Sequence, residues 1–175
     1  MKYIYLLTVI LVFSLNVNAQ NVKYGVRGGM NISSLDFKSE VPAGNKHRNS
    51  VYIGFLADIG LSKTISLIPE IQFSYEGSKA DVLQFDYIQM PILVGIKLFK
   101  NFHVNLGPQI GLKIHEVDDM AANFGFSSII GAEYRINQAL FVDVRHSNGL
   151  INVFDDDSGV DAKNNNFQIG VGYKF

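Results

Sequence analysis

Residues 102–115 sort into two sets by position alone. Phe102, Val104, Leu106, Pro108, Ile110, Leu112 and Ile114 form one set and all are apolar, whereas His103, Asn105, Gly107, Gln109, Gly111, Lys113 and His115 form the other. A strand sends successive side chains to opposite faces, so a sustained period of two predicts a half-buried β-strand and excludes an amphipathic helix. The last segment repeats the split. Phe167, Ile169, Val171, Tyr173 and Phe175 stand opposite Gln168, Gly170, Gly172 and Lys174.

Six more segments fit the same template, at 22–32, 51–62, 65–76, 86–98, 124–136 and 139–147, which brings the expected strand number to eight. Leu56, Ile68, Leu93, Ile129 and Phe141 are the exceptions, large apolar residues on the polar face. The connections alternate in length. Those near Lys63-Thr64, Lys100-Asn101 and Asn137-Gln138 are tight, while those at about 33–50, 77–85, 116–123 and 148–166 are long and polar. Short turns at one end and long loops at the other predict an up-and-down barrel. Pro69, Pro91 and Pro108 fall inside strand runs and each removes a ladder donor, for which bulges or barrel corners are the expected remedy.

Such a chain can close with its apolar face inward, as a soluble ligand carrier of the lipocalin type, or outward, as a membrane barrel. The polar face decides for the membrane. It holds Gly25, Gly29, Gly54, Gly60, Gly95, Gly107, Gly111, Gly125, Gly131, Gly170 and Gly172, which suit a crowded narrow interior and make a poor water-facing surface. On the apolar face, Tyr24, Phe102, Tyr134, Tyr173 and Phe175 gather beside the short turns, and Phe73, Tyr75, Phe124, Phe126 and Phe167 beside the long loops. Two aromatic belts flanking Val, Ile and Leu are expected where a barrel meets two membrane interfaces. The expected fold class is all-β: an eight-stranded antiparallel up-and-down transmembrane β-barrel, preceded by a cleavable signal peptide.

That signal peptide is read at residues 1–19. Lys2 supplies the positive start, Tyr3 to Leu15 the apolar stretch, and Val17-Asn18-Ala19 the small-residue cleavage site, leaving the barrel domain at 20–175. The apolar stretch is too short for a membrane-spanning helix. The chain has no cysteine, which excludes disulfides, thiolate zinc sites and a lipid-anchored form. A net charge of −1 on 175 residues argues against nucleic acid as a partner.

Alternation aims seven cations inward, Lys23, Arg27, Lys97, Lys113, Arg135, Arg145 and Lys174, with five anions, Asp58, Glu70, Glu76, Glu133 and Asp143. Charges confined to a narrow lumen are expected to pair, because an isolated buried charge is costly. Eight strands leave an interior just wide enough for side chains to fill. A plugged, ion-paired lumen is therefore expected, with a small passive pore as the alternative. A lipid hydrolase is a second alternative, prompted by His146-Ser147-Asn148. Adjacent strand residues point to opposite faces, however, so the expected contact between base and nucleophile does not form there and no enzymatic role is expected. The run Asp155 to Asp161 lacks the order and closing glutamate of a calcium loop. His103 and His115 lie too far apart along one strand to share a metal, and no cofactor is expected. The long segments 33–50 and 148–166 are the expected recognition elements, with the basic stretch ending at Lys46-His47-Arg48 complementing the acidic run at 155–161.

The chain also resembles the small outer-membrane barrel proteins of the Bacteroidota, called porin family or PorT-like. Gly25-Val26-Arg27-Gly28-Gly29-Met30-Asn31 is similar to the family's first strand, and Tyr87-Ile88-Gln89-Met90-Pro91-Ile92-Leu93 to its Tyr-apolar-Gln/Glu-apolar-Pro strand. Arg145-His146-Ser147-Asn148-Gly149-Leu150-Ile151-Asn152-Val153 resembles its Arg-Tyr-x-x-Gly-Leu-x-Asn-Ile segment, with His146 in place of the usual Tyr. Tyr173-Lys174-Phe175 resembles the terminal aromatic signal read by the barrel-assembly machinery, with Tyr173 and Phe175 in that role. The resemblance implies export to the bacterial outer membrane. The expected partners are outer-membrane lipid and lipopolysaccharide, the assembly machinery and, at the extracellular loops, an unidentified protein.

Overall fold

The computed structural model describes residues 22–37, 46–79, 84–114, 123–154 and 161–175. Eight strands form where the sequence alternates: β1 (Val22–Phe37), β2 (Arg48–Gly60), β3 (Ile65–Gly77), β4 (Gln84–Lys97), β5 (Phe102–Lys113), β6 (Phe124–Arg135), β7 (Leu140–Gly149) and β8 (Ala162–Lys174). Each pairs antiparallel with its sequence neighbour, and β8 closes on β1 to complete the barrel. Closure leaves no unpaired edge, which is what allows a sheet to cross a bilayer. The expected fold class is thus the observed one. The expected signal peptide at 1–19 lies outside the described residues.

Burial alternates along the strands as the two residue sets require. On β8, Phe167, Ile169, Val171 and Tyr173 are exposed while Asn166, Gln168, Gly172 and Lys174 are buried. The outward set elsewhere includes Tyr24, Met30, Ile53, Phe55, Ile71, Ile92, Leu106, Ile130 and Val144, an apolar belt with no core behind it to bury it in. Phe55 is an outward aromatic between the two belts.

Two expectations about the strands need correction. Segments 33–37, 48–50 and 162–166, read as loop, continue the barrel wall as strand. Ser33↔Asn166, Ser34↔Asn165 and Leu35↔Asn164 pair in unbroken register. Beyond the apolar belt the outward residues are polar too, so alternation disappears from the sequence while the ladder goes on. The prolines, secondly, produce no bulge, for the pairing offset is constant along every strand pair. Instead each leaves a gap on one side. Pairing lapses between β2 and β3 beside Pro69, between β3 and β4 beside Pro91, and between β4 and β5 beside Pro108. Pro69 still partners Ile92, Pro91 partners Gln109 and Pro108 partners Ser128. Each ring turns its missing donor toward the preceding strand and keeps its place opposite the following one.

Candidate functional site

The five apolar exceptions on the polar face meet inside the barrel. Leu56, Ile68, Leu93, Ile129 and Phe141 form one buried cluster. The inward charges collect on either side of it, because Glu70 lies one inward position beyond Ile68, Asp143 one beyond Phe141, and Asp58 one beyond Leu56.

The inner group is a quartet of two arginines and two carboxylates. Arg27 places Nη1 3.0 Å from Glu70 Oε1 and Nη2 2.8 Å from Asp143 Oδ2. Arg145 places Nη1 2.8 Å from Glu70 Oε2 and Nε 2.8 Å from Asp143 Oδ2. Their side chains are at most 1% exposed. Arg27 Nη2 also donates to Tyr52 Oη at 2.7 Å, and its guanidinium lies 4.4 Å from the centre of that ring. Two positive and two negative charges cancel locally, which is the condition under which buried ions are tolerated.

Toward the short-turn end a second neutral quartet repeats the arrangement. Arg135 contacts Asp58 and Glu133, each at 2.8 Å, and Lys174 Nζ contacts the same two carboxylates, each at 2.9 Å. Lys174 lies over the Phe141 ring, 4.7 Å from its centre, so the apolar cluster supplies a cation–π face as well as a seal.

Toward the long-loop end the chemistry changes. Glu76 is 1% exposed and has no cation on its carboxylate among the described residues. Its Oε1 accepts from Ser74 Oγ at 2.9 Å, Gln89 Nε2 at 3.0 Å and Asn166 Nδ2 at 2.7 Å, and Asn164 Nδ2 donates to Oε2. Gln168 and Asn166 also donate to Asn31 Oδ1, extending the amide lattice across to β1. Tyr52, Asn31, Gln89 and Gln168 occupy inward slots of the alternation, which is the signal that marks them, whereas Asn164 and Asn166 fall beyond the alternating segment and carry no such mark.

Of the remaining expected lumen residues, Lys97 is exposed at the short-turn mouth, apart from both quartets. Lys113 is half-buried near the opposite end of β5. Tyr173 and Phe175 are exposed at the end of β8, on the outer surface. His146 faces outward while Ser147 is buried inward, on opposite sides of the wall. His115 and Asp155 to Val160 lie outside the described residues. Arg48 donates to the Glu76 carbonyl at 2.6 Å and its guanidinium lies over Tyr75 at the barrel rim; the acidic run expected to complement it lies, Asp161 apart, outside the described residues.

Residues 5–175 match the family model described as outer membrane protein beta-barrel domain. The chain belongs to that family. No curated protein sequence matches the chain. Among solved structures, the barrel is similar to Ail, the attachment invasion locus protein of Yersinia pestis, with 13% identity, a TM-score of 0.56, and coverage of 87% of this chain and 98% of that one. Neisserial surface protein A gives 10% identity and a TM-score of 0.61, covering 89% of this chain and 99% of that one. Ail has also been solved with the heparin analogue sucrose octasulfate, at 13% identity and a TM-score of 0.54, covering 89% and 99%. At such low identities the likeness shows a shared fold alone. The protein is an outer-membrane β-barrel, and lipid is the solvent of its apolar belt.

Proposed function

We propose that this outer-membrane barrel serves a structural and surface-interaction role, with a lumen closed to solutes and no catalysis of its own. The observation that carries the reading is the inner quartet. Arg27, Glu70, Asp143 and Arg145 bridge β1, β3 and β7 across the lumen with their side chains sealed from solvent. An apolar layer and a second quartet lie beneath. Passage of an ion requires breaking several short contacts in a low-dielectric interior, a cost that a passive pore does not carry.

In this reading residues 1–19 are a signal peptide, both termini lie in the periplasm, and the long loops face outward, where recognition segments on a rigid scaffold usually sit. Tyr173 and Phe175 act as the assembly signal, and the chain is one of the PorT-like barrels of the Bacteroidota. The name of Ail as an attachment protein supports a surface-contact role for a barrel of this size. Lipopolysaccharide is the expected neighbour of the outer rim. The opposed directions of His146 and Ser147 support the absence of lipid hydrolysis.

Planar-bilayer recording tests the proposal. The refolded protein is expected to give no conductance steps, and regular steps from the unmodified chain would replace the closed lumen with a pore.

A further inference from the structure

The short-turn mouth carries an excess of positive charge that the barrel does not neutralise. Two adjoining depressions open there, of about 190 and 460 Å³, and both are lined by Lys23, Lys97, Lys100 and Arg135. Lys63, His103 and the Asp58 carboxylate line the smaller one. The carboxylates of this end, Asp58 and Glu133, are taken up by Lys174 and Arg135. Among the described residues, no carboxylate lies within ion-pair distance of Lys23, Lys63, Lys97 or Lys100; Lys23 Nζ has only the Gln138 carbonyl, at 3.3 Å.

Arg135 is fixed in place beneath them. Glu133 holds its Nε and Asp58 its Nη2, and the side chain remains 28% exposed toward the depressions it lines. His103 is 5% exposed, and its Nδ1 has no hydrogen-bond partner among the described residues. A concave, like-charged rim over a low-dielectric floor concentrates the positive potential at the mouth. The far rim differs, since Asp36, Asp86 and Asp161 there intersperse with Lys79, Arg48 and Lys163.

We infer that the short-turn mouth is a binding site for phosphate-bearing anions, seated between Lys23, Lys97 and Lys100 above the Arg135 guanidinium. The chemistry is common to a soluble phosphoanion and to the headgroup of an anionic phospholipid in the adjoining leaflet. The site sits on top of the lumen seal and does not depend on whether the lumen is closed.

Inorganic pyrophosphate titrated at low salt into the full barrel in phosphatidylcholine nanodiscs, followed by backbone amide shifts, is the test. Saturable shifts confined to β1, β4 and the turns at 61–64, 98–101 and 136–139 are expected. Lys97→Gln with Lys100→Gln should weaken binding by about fivefold per charge removed. Lys79→Gln with Lys163→Gln, at the opposite rim, should leave it unchanged. Repeating the titration in discs containing phosphatidylglycerol separates the two sources: competition identifies a lipid headgroup, and undiminished binding identifies a soluble anion. Shifts that never saturate, or equal weakening by the far-rim pair, would overturn the site.

Discussion

The hydroxyl of Tyr52 occupies the space that a Cβ on Gly170 would need. The same oxygen accepts from Arg27 Nη2 at 2.7 Å, so the vacancy at Gly170 on β8 lets a β2 side chain reach across the lumen to the inner quartet. Gly170→Ala should therefore destabilise the barrel by about 1–3 kcal/mol, the usual cost of overpacking. Urea unfolding in lipid vesicles measures it. In a Tyr52→Phe background, where the obstructing oxygen is gone, the same alanine should cost less, and an equal cost in both backgrounds would refute the steric pairing.

Arg27→Met leaves Glu70 and Asp143 facing Arg145 alone. Removing one partner of a buried ion pair costs about 3–5 kcal/mol, because the remaining charge loses compensation without regaining water. Adding Glu70→Gln restores neutrality, one cation against one anion, so the double variant should be more stable than Arg27→Met. Independent, additive losses from the two substitutions would show that charge balance is not what holds the quartet.

Glu76 offers the opposite case. Its carboxylate is satisfied by Ser74, Gln89, Asn164 and Asn166 and, among the described residues, by no cation. Glu76→Gln keeps one acceptor oxygen, sets an amide against an amide donor, and strands no counter-ion. A loss of about 1 kcal/mol is expected from the disturbed hydrogen bonding, well below the about 3–5 kcal/mol expected of Glu70→Gln. Equal losses in paired unfolding measurements would mean that Glu76 has a cationic partner.

The barrel was legible because lipid outside and packed charge inside impose opposite chemistry on alternate residues, and Phe102 to Ile114 displays that opposition without interruption. Legibility failed where the outside ceases to be lipid. Asn164, Asn165 and Asn166 are strand, yet nothing apolar marks their outward positions. The inward direction of Arg27, Asp58, Glu70, Glu133, Asp143 and Arg145 followed from parity alone. Their grouping did not, since partners such as Arg27 and Asp143 lie 116 residues apart and meet only through barrel closure. Parity also places Glu76 and Lys97 with them, because it fixes a side chain's face and leaves its depth and its neighbours to strand stagger.

The outward belt yields the last prediction. Ile169 is 50% exposed on β8 between Phe167 and Tyr173, the aromatics that mark the two ends of the belt. An arginine there must either enter hydrocarbon or bend toward an interface, and at the midplane of a barrel this costs about 2–4 kcal/mol. Gln138 is also exposed, in the short turn before β7 and outside the belt. Ile169→Arg should lower folding stability in vesicles by that amount while Gln138→Arg changes it little. The contrast discriminates lipid from water as the outer solvent, because an arginine on a water-facing wall is cheap at both positions. Equal, small effects would mean that the apolar face of this barrel does not meet lipid at all.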